Sequence, residues 1–125
     1  MSRFSTLFPL ACLVLAATAA SAQSPPSPDR GKLLFQQKCQ PCHGTERSDQ
    51  GHAMLPGTDA LRLKYRGSLP AALEQRSDLT PAAIKVFLRR GSWSMPPFRK
   101  SELSDADIAD ISAWIAQASR AVPGK

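Results

Sequence analysis

The sequence predicts an all-α fold, a small helical domain, and three observations lead to this prediction. Apolar residues recur at the spacing of one helix face in several segments. Residues that cap helices, such as Thr80 and Ser104, stand directly before these segments. No segment shows a comparably clear alternation of apolar and polar residues, the pattern typical of strands. At 125 residues, the chain has room for a single domain.

The first residues have the pattern of a secretory signal peptide. Arg3 gives a positive start, residues 4–20 form a nearly uninterrupted apolar run, and Ala20-Ser21-Ala22 matches a cleavage site. This run is too short, and has the wrong flanks, for a transmembrane helix. We therefore predict that residues 1–22 are removed and that the mature protein lies in the periplasm without stable membrane insertion. An uncleaved, anchored form is the alternative that Cys12 raises.

The mature chain is predicted to begin with a flexible leader, because residues 23–28 are rich in Ser and Pro. One domain over residues 29–125 follows. Its first helix is expected from Arg30 to Lys38, capped by Asp29. Later, Thr58 is expected to cap a short helix that reaches Tyr65, and another helical turn is expected after Pro70.

The C-terminal half carries the two clearest helices. One should be capped by Thr80 and end at Gly91, with Ile84, Phe87 and Leu88 as its apolar face. The last helix should begin at Ser104, which forms a capping box with Asp107, and its apolar face is formed by Ile108, Ile111 and Ile115. Two prolines, Pro96 and Pro97, keep the intervening segment out of helical conformation.

The segment Cys39-Gln40-Pro41-Cys42-His43 predicts one covalently bound haem c. Two thioether bonds from Cys39 and Cys42 hold one porphyrin, and the adjacent His43 then ligates its iron. The alternatives are a redox dithiol and half of a zinc site. The first requires a βαβ context that the sequence lacks, and the second requires four ligands, whereas the mature chain offers two Cys and two His.

A second axial ligand to the iron is predicted at Met95. The loop around it is stiffened by Pro96 and Pro97, so a weak sulfur ligand can be held at a fixed distance with little loss of entropy. Met54 is the competing thioether, but it follows His43 closely and is expected to pack against the haem. His52 is expected to be solvated. A plain packing role for Met95 is the other alternative.

The net charge of +6, from 16 Lys and Arg against 10 Asp and Glu, suggests an acidic partner. The basic residues are scattered among acids, which does not favour nucleic acid as the partner. A redox protein found by electrostatic steering explains the charge better. Trp93 is expected to pack against the porphyrin or to touch that partner. The candidate docking residues are Arg89, Arg90, Arg99 and Lys100.

Taken together, the haem motif, the Met95-Pro96-Pro97 loop and the terminal helix resemble a class I cytochrome c over essentially the whole mature chain. The resemblance implies that the first and last helices cross near the haem, with Gly31 permitting close approach and Phe35 and Trp114 in packing positions. It also implies that a proline after the motif orients the ligating His, for which Pro56 is the best match.

Three segments are also similar to the cytochrome subunit of flavocytochromes of the p-cresol methylhydroxylase type. These segments are residues 57–61, 73–79 and 95–105. The similarity implies a flavoprotein partner, in a possible hetero-oligomer, that oxidises a phenolic or similar small substrate and donates single electrons.

The expected function is therefore electron transfer by a protein that is not itself an enzyme. With His43 and Met95 both bound, iron has no open position for a substrate. Two alternatives stay open: a free periplasmic electron shuttle of the respiratory chain, and a haem enzyme or sensor whose sixth ligand is labile.

Overall fold

A computed structural model describes residues 24–46 and 53–122, and within these ranges the fold is helical with no β-strand. The predicted signal peptide and His52 lie outside them. The all-α prediction is confirmed. In chain order the helices are α1 (Pro28–Lys38), α2 (Gln40–His43), α3 (Pro56–Tyr65), a 3-10 helix (Leu73–Gln75), α4 (Pro81–Arg90) and α5 (Asp105–Ala121).

The first and last helices, α1 and α5, pack closely against each other. Gly31 is buried at their contact, where a side chain would overlap the carbonyl group of Asp110. Phe35 packs against Trp114, with ring centroids 4.4 Å apart and ring planes tilted by 43°. The crossing implied by Gly31, Phe35 and Trp114 is thus present in the structure.

One group of buried residues, here called the core cluster, joins α1, α4 and α5. Each large aliphatic side chain in it contributes about 1.5–3 kcal/mol by leaving water. Cys39 belongs to this cluster, so the haem motif is attached directly to the interior. The members of the core cluster are Phe35, Cys39, Ile84, Leu88, Leu103, Ile108, Ile111 and Ile115.

Helix α1 begins earlier than predicted, and its cap is Ser27 rather than Asp29. The Ser27 hydroxyl accepts a hydrogen bond from the Arg30 amide at 3.3 Å. Pro28 favours this earlier start because its fixed φ suits the first helical position. The Ser27 amide also donates to the Asp110 carboxylate at 2.7 Å, so the end of the predicted leader is bound to α5.

Helix α3 also begins before its predicted start, for the same reason. Pro56 occupies its first position, Leu55 is its cap residue, and Thr58 lies inside the first turn. The prediction that Thr58 caps this helix was wrong. Its buried hydroxyl instead donates to the Gly44 carbonyl at 2.7 Å and joins α3 to the residue that follows the haem motif.

Helices α4 and α5 match the prediction at their ends. The Thr80 hydroxyl accepts from the Ala83 amide at 3.2 Å, and Ser104 and Asp107 form the predicted capping box. One face residue was wrong, since Phe87 is 40% exposed while Ile84 and Leu88 are buried. Ile84 and Leu88 are four residues apart and share one face of the helix. Phe87 follows Ile84 by three residues and lies at the edge of that face.

Within residues 24–46 and 53–122, no helix combines the length and the apolar character that crossing a bilayer requires.

Candidate haem site

The haem motif forms one compact turn between α1 and α3. The carbonyl of Cys39 accepts hydrogen bonds from the amides of Cys42 at 3.1 Å and His43 at 2.8 Å. Pro41 lies in the first turn of α2, where a missing amide hydrogen costs nothing. Both sulfur atoms and the imidazole therefore belong to a single helical turn, as attachment of one cofactor at all three requires.

The two thiols of this turn are free and have different environments. Cys39 is buried and Cys42 is exposed. Burial, and then the nearby Cys42 and Glu74, raise the pKa of the Cys39 thiol to about 12. A redox dithiol needs the opposite, a lowered thiol pKa. The burial of Cys39 and its raised pKa thus disfavour the dithiol alternative.

The zinc alternative finds no support in the described part of the chain either. No cluster of three or more His, Cys, Asp or Glu side chains in residues 24–46 and 53–122 has the arrangement of a metal site. A closed structural zinc site needs four such ligands.

His43 has the properties of a metal-ligating imidazole. Burial lowers its pKa, so the neutral form, which is the form that ligates metals, predominates at neutral pH. Its Nδ1 atom is buried and has no hydrogen-bond partner among the described residues. Such an unpaired atom costs about 1–3 kcal/mol, which disfavours a purely structural role for this side chain.

Gly57 is a site residue that the sequence reasoning missed. A Cβ atom at this position would lie 2.8 Å from His43 Cε1, 2.9 Å from His43 Nδ1 and 2.8 Å from the Cys42 carbonyl oxygen. Glycine in a helix is less favourable than alanine by about 1 kcal/mol, so its place in the first turn of α3 needs a reason. The space taken by the imidazole supplies one. The helical position after Pro56 was the available signal.

Pro56, predicted to orient the imidazole, is exposed at the start of α3. The backbone against the imidazole is that of the next residue, Gly57. A role for Pro56 in orienting His43 stays a prediction.

Met95 lies on a loop that is held at both ends. Its amide donates to the Ser92 carbonyl at 2.9 Å, and the Ser92 amide donates to the Met95 carbonyl at 3.0 Å. Beyond the two prolines, the Phe98 amide donates to the Leu88 carbonyl of α4 at 2.7 Å. The segment is therefore a tight turn followed by an irregular stretch whose end is anchored to α4. The Met95 side chain is half-buried and packs against the core cluster.

Trp93 stands at the tip of this turn and is fully exposed, at 102% of its reference area. Its backbone φ of 56° lies in the left-handed region, which bulky residues rarely adopt. Strain of this kind is concentrated at functional sites. The two predicted roles of Trp93, contact with haem or with a partner, stay predictions.

Charged groups in and after the 3-10 helix form a second feature that the sequence did not reveal. Arg76 is 4% exposed and donates to both oxygens of Asp78, at 2.5 and 2.6 Å. Its guanidinium group also lies 4.5 Å from the centre of the Tyr65 ring. Glu74 has a buried oxygen, Oε2, with no partner among the described residues. No motif marks these residues.

The predicted docking residues divide into two groups. Arg89 is structural, because its guanidinium donates to the carbonyls of Phe98 at 3.0 Å and Leu103 at 2.8 Å and to Asp105 at 2.8 Å. These bonds hold Arg89 within the fold, and its place in a docking rim stays a prediction. The other three, Arg90, Arg99 and Lys100, are exposed.

The residues of this site fit a covalently attached haem. Cys39 and Cys42 offer two unpaired sulfur atoms on one turn, and the neutral imidazole of His43 follows directly. Burial, which favours the neutral imidazole, and the compact turn that places His43 beside both sulfur atoms are the observations that favour a ligating role for His43.

Comparison with known proteins gives a match to a cytochrome c family. The family model described as cytochrome c oxidase, cbb3-type, subunit III matches residues 26–115. No curated protein matches the chain. The family match covers the haem motif, the Met95 loop and most of α5.

Proposed function

This chain belongs to the cytochrome c family represented by subunit III of cbb3-type cytochrome c oxidase, and we propose that it is a mono-haem carrier of single electrons. The haem is attached through Cys39 and Cys42, and its iron is ligated by His43 and Met95. Haem supplies the one-electron chemistry, and the chain supplies ligands, orientation and a protected environment. The compact turn from Cys39 to His43 is the observation that carries this proposal.

Two features of the structure favour His43 as the first axial ligand. Its pKa is lowered by burial, so the imidazole has a free lone pair at neutral pH. The backbone of Gly57 lies against its ring and restricts how the ring can turn. A restricted, neutral imidazole can keep one orientation in both oxidation states.

Anchoring of its loop favours Met95 as the second axial ligand. Hydrogen bonds to Ser92 fix its backbone, and the bond between Phe98 and Leu88 fixes the end of the loop. A thioether ligand raises the reduction potential relative to a second imidazole. It also fills the coordination position that a substrate would need, which is why we propose a carrier and not an enzyme.

The same reasoning extends to location and partners. The N-terminal pattern of residues 1–22 supports export to the periplasm. We further propose a flavoprotein dehydrogenase as electron donor and another redox protein as acceptor, on the resemblance noted above for residues 57–61, 73–79 and 95–105. Purification of the tagged protein from its native host tests the donor. A flavoprotein recovered at fixed stoichiometry supports this donor, and recovery of the cytochrome alone supports a free shuttle.

The axial ligand is tested by the absorption spectrum of Met95→Ala. The ferric wild type should show the weak charge-transfer band of sulfur bound to iron, and the variant should lose it. Met54→Ala is the matched control, because Met54 is also half-buried but stands outside the core cluster and its neighbours. It should keep the band. A band that persists in Met95→Ala would reject Met95 as ligand, and loss in Met54→Ala alone would transfer the role to Met54.

A further inference from the structure

Glu74 is a half-buried residue with one buried carboxylate oxygen, and the proposed electron-transfer function does not use it. It lies in the 3-10 helix, which packs against α5. Its neighbour Leu73 packs against the core cluster, of which Cys39 is a member. The Oε2 atom of Glu74 is buried and has no hydrogen-bond partner among the described residues. A buried ionised oxygen without a partner is expensive, so this group is poised to accept a proton.

The surroundings of Glu74 contain no described cation that would hold it ionised. On the side of the haem motif, the charged group that acts on Glu74 is the carboxylate of Glu46. On α5, Asp107 and Asp110 are paired with Arg30 of α1. The nearby Arg76 is paired with Asp78.

The surroundings of Glu74 raise its pKa overall. Burial raises the pKa of Glu74 above the ordinary 4.5. A backbone hydrogen bond at Glu74 lowers it by less, and the repulsion of Glu46 raises it by a smaller amount still. The charge of Glu74 also acts on the haem-attachment residue Cys39, because it is one of the causes that raise the pKa of the Cys39 thiol. A charge that acts on the sulfur of Cys39 also acts on a group bonded to that sulfur.

We propose that Glu74 is a redox-linked proton site, which takes up one proton when the domain takes up one electron. This inference rests on the proposed function, because the electron comes from the donor protein and goes to the haem. The proton comes from water and binds one oxygen of the Glu74 carboxylate. Each one-electron reduction is then accompanied by the neutralisation of one negative charge, and oxidation returns the proton to water.

The sign of the effect follows from electrostatics. An ionised Glu74 stabilises the more positive, oxidised state, so the reduction potential falls as pH rises through the pKa of Glu74. Between the pKa values of the oxidised and reduced states, the reduction equilibrium changes by up to tenfold per pH unit. For one electron, a tenfold change corresponds to about 59 mV. The window lies above pH 4.5, the ordinary pKa from which Glu74 is raised.

Redox titration of the purified holoprotein over a range of pH tests this proposal. The wild-type potential should fall with rising pH, whereas Glu74→Gln should give a higher potential at neutral pH and remove this fall. Glu46→Gln should move the fall to lower pH, because it removes the repulsion that raises the pKa of Glu74. Glu102→Gln is the matched control on an exposed glutamate bound to Arg99, and it should leave the curve unchanged.

Two results would overturn the inference. A wild-type potential that does not vary with pH excludes a redox-linked proton at Glu74. A fall that persists unchanged in Glu74→Gln assigns the proton to another group, such as a haem propionate. In both cases a protein that still binds haem and cycles between ferric and ferrous states leaves the proposed carrier function intact. Failure of that function is recognised separately, by absence of haem or of a reversible redox change.

Discussion

The contact between α1 and α5 differs from the haem-motif side of the molecule in how its buried polar groups are paired. At the helix contact, the buried Asp110 carboxylate accepts from the Ser27 amide and from Arg30. On the motif side, the buried atoms His43 Nδ1 and Glu74 Oε2 have no partner among the described residues. A third such atom, Arg89 Nε, belongs to a guanidinium whose other nitrogens are bonded.

This difference separates the part of the domain that is complete as protein from the part that is built for a cofactor. Close backbone approach at Gly31 and the pair of Phe35 and Trp114 need nothing beyond the chain itself. The turn of Cys39, Cys42 and His43 has sulfur and nitrogen atoms whose chemistry is used only when haem is bound. The first region should therefore respond to packing mutations, and the second to loss of haem.

The largest expected effect is that of the double variant Cys39→Ser, Cys42→Ser. Without either sulfur the haem cannot be held covalently, so the haem content of the purified protein should fall to background. Because a small domain buries only a modest core of its own, most of its helical structure should be lost as well. Haem staining of the denatured protein and circular dichroism measure the two effects. Normal covalent haem in this variant would contradict the assignment of the motif.

A smaller effect, on stability alone, is expected for Gly31→Ala. Alanine is the better helix former by about 1 kcal/mol, but its Cβ would overlap the Asp110 backbone. The helices must then move apart, with a net loss of about 3 kcal/mol in the free energy of unfolding. Denaturant unfolding measures it. Lys32→Ala, at an exposed position of the same helix, is the control and should change stability by less than about 0.5 kcal/mol. Equal values for both variants would refute the close crossing.

Among these variants, Gly57→Ala should change the stability least. It should also change the absorption spectrum of the haem, which Gly31→Ala should not. The new Cβ would press on the imidazole of His43 and on the carbonyl of Cys42. Stability should fall by about 1 kcal/mol, and the reduction potential and the ferric spectrum should shift. Ala60→Gly, at an exposed position of α3, should lower stability by about 1 kcal/mol through helix propensity without a spectral shift. An unaltered spectrum in Gly57→Ala would remove its positioning role.

Local signals predicted most of the helices, because caps and apolar spacing are properties of short segments. Thr80, Ser104 and Asp107 have side chains that bond to amides within three residues, and their capping roles are confirmed. The starts of α1 and α3 were placed too late because Pro28 and Pro56 act as first helical residues. A cap residue and a proline compete for the same boundary, and here the proline decides it.

The site could be predicted only as far as its chemistry lies in consecutive residues. Cys39, Cys42 and His43 are adjacent in sequence, so their roles followed from spacing. Gly57 and Glu74 acquire their surroundings from segments far apart in the chain, which no local pattern encodes. Arg76 is bonded to the nearby Asp78, but its burial is a property of the fold. Arg89 shows the reverse case, since a charge that is expected on the surface instead bonds the carbonyls of the loop before α5.

The central claim is that Cys39 and Cys42 hold one haem covalently, and the most direct measurement is the fate of the colour on denaturation. The expressed protein is purified, denatured and extracted with acidified organic solvent. We predict that the haem absorbance stays with the polypeptide, in a ratio of one haem to one chain. Haem that passes into the solvent, or a correctly folded protein without colour, would contradict the account.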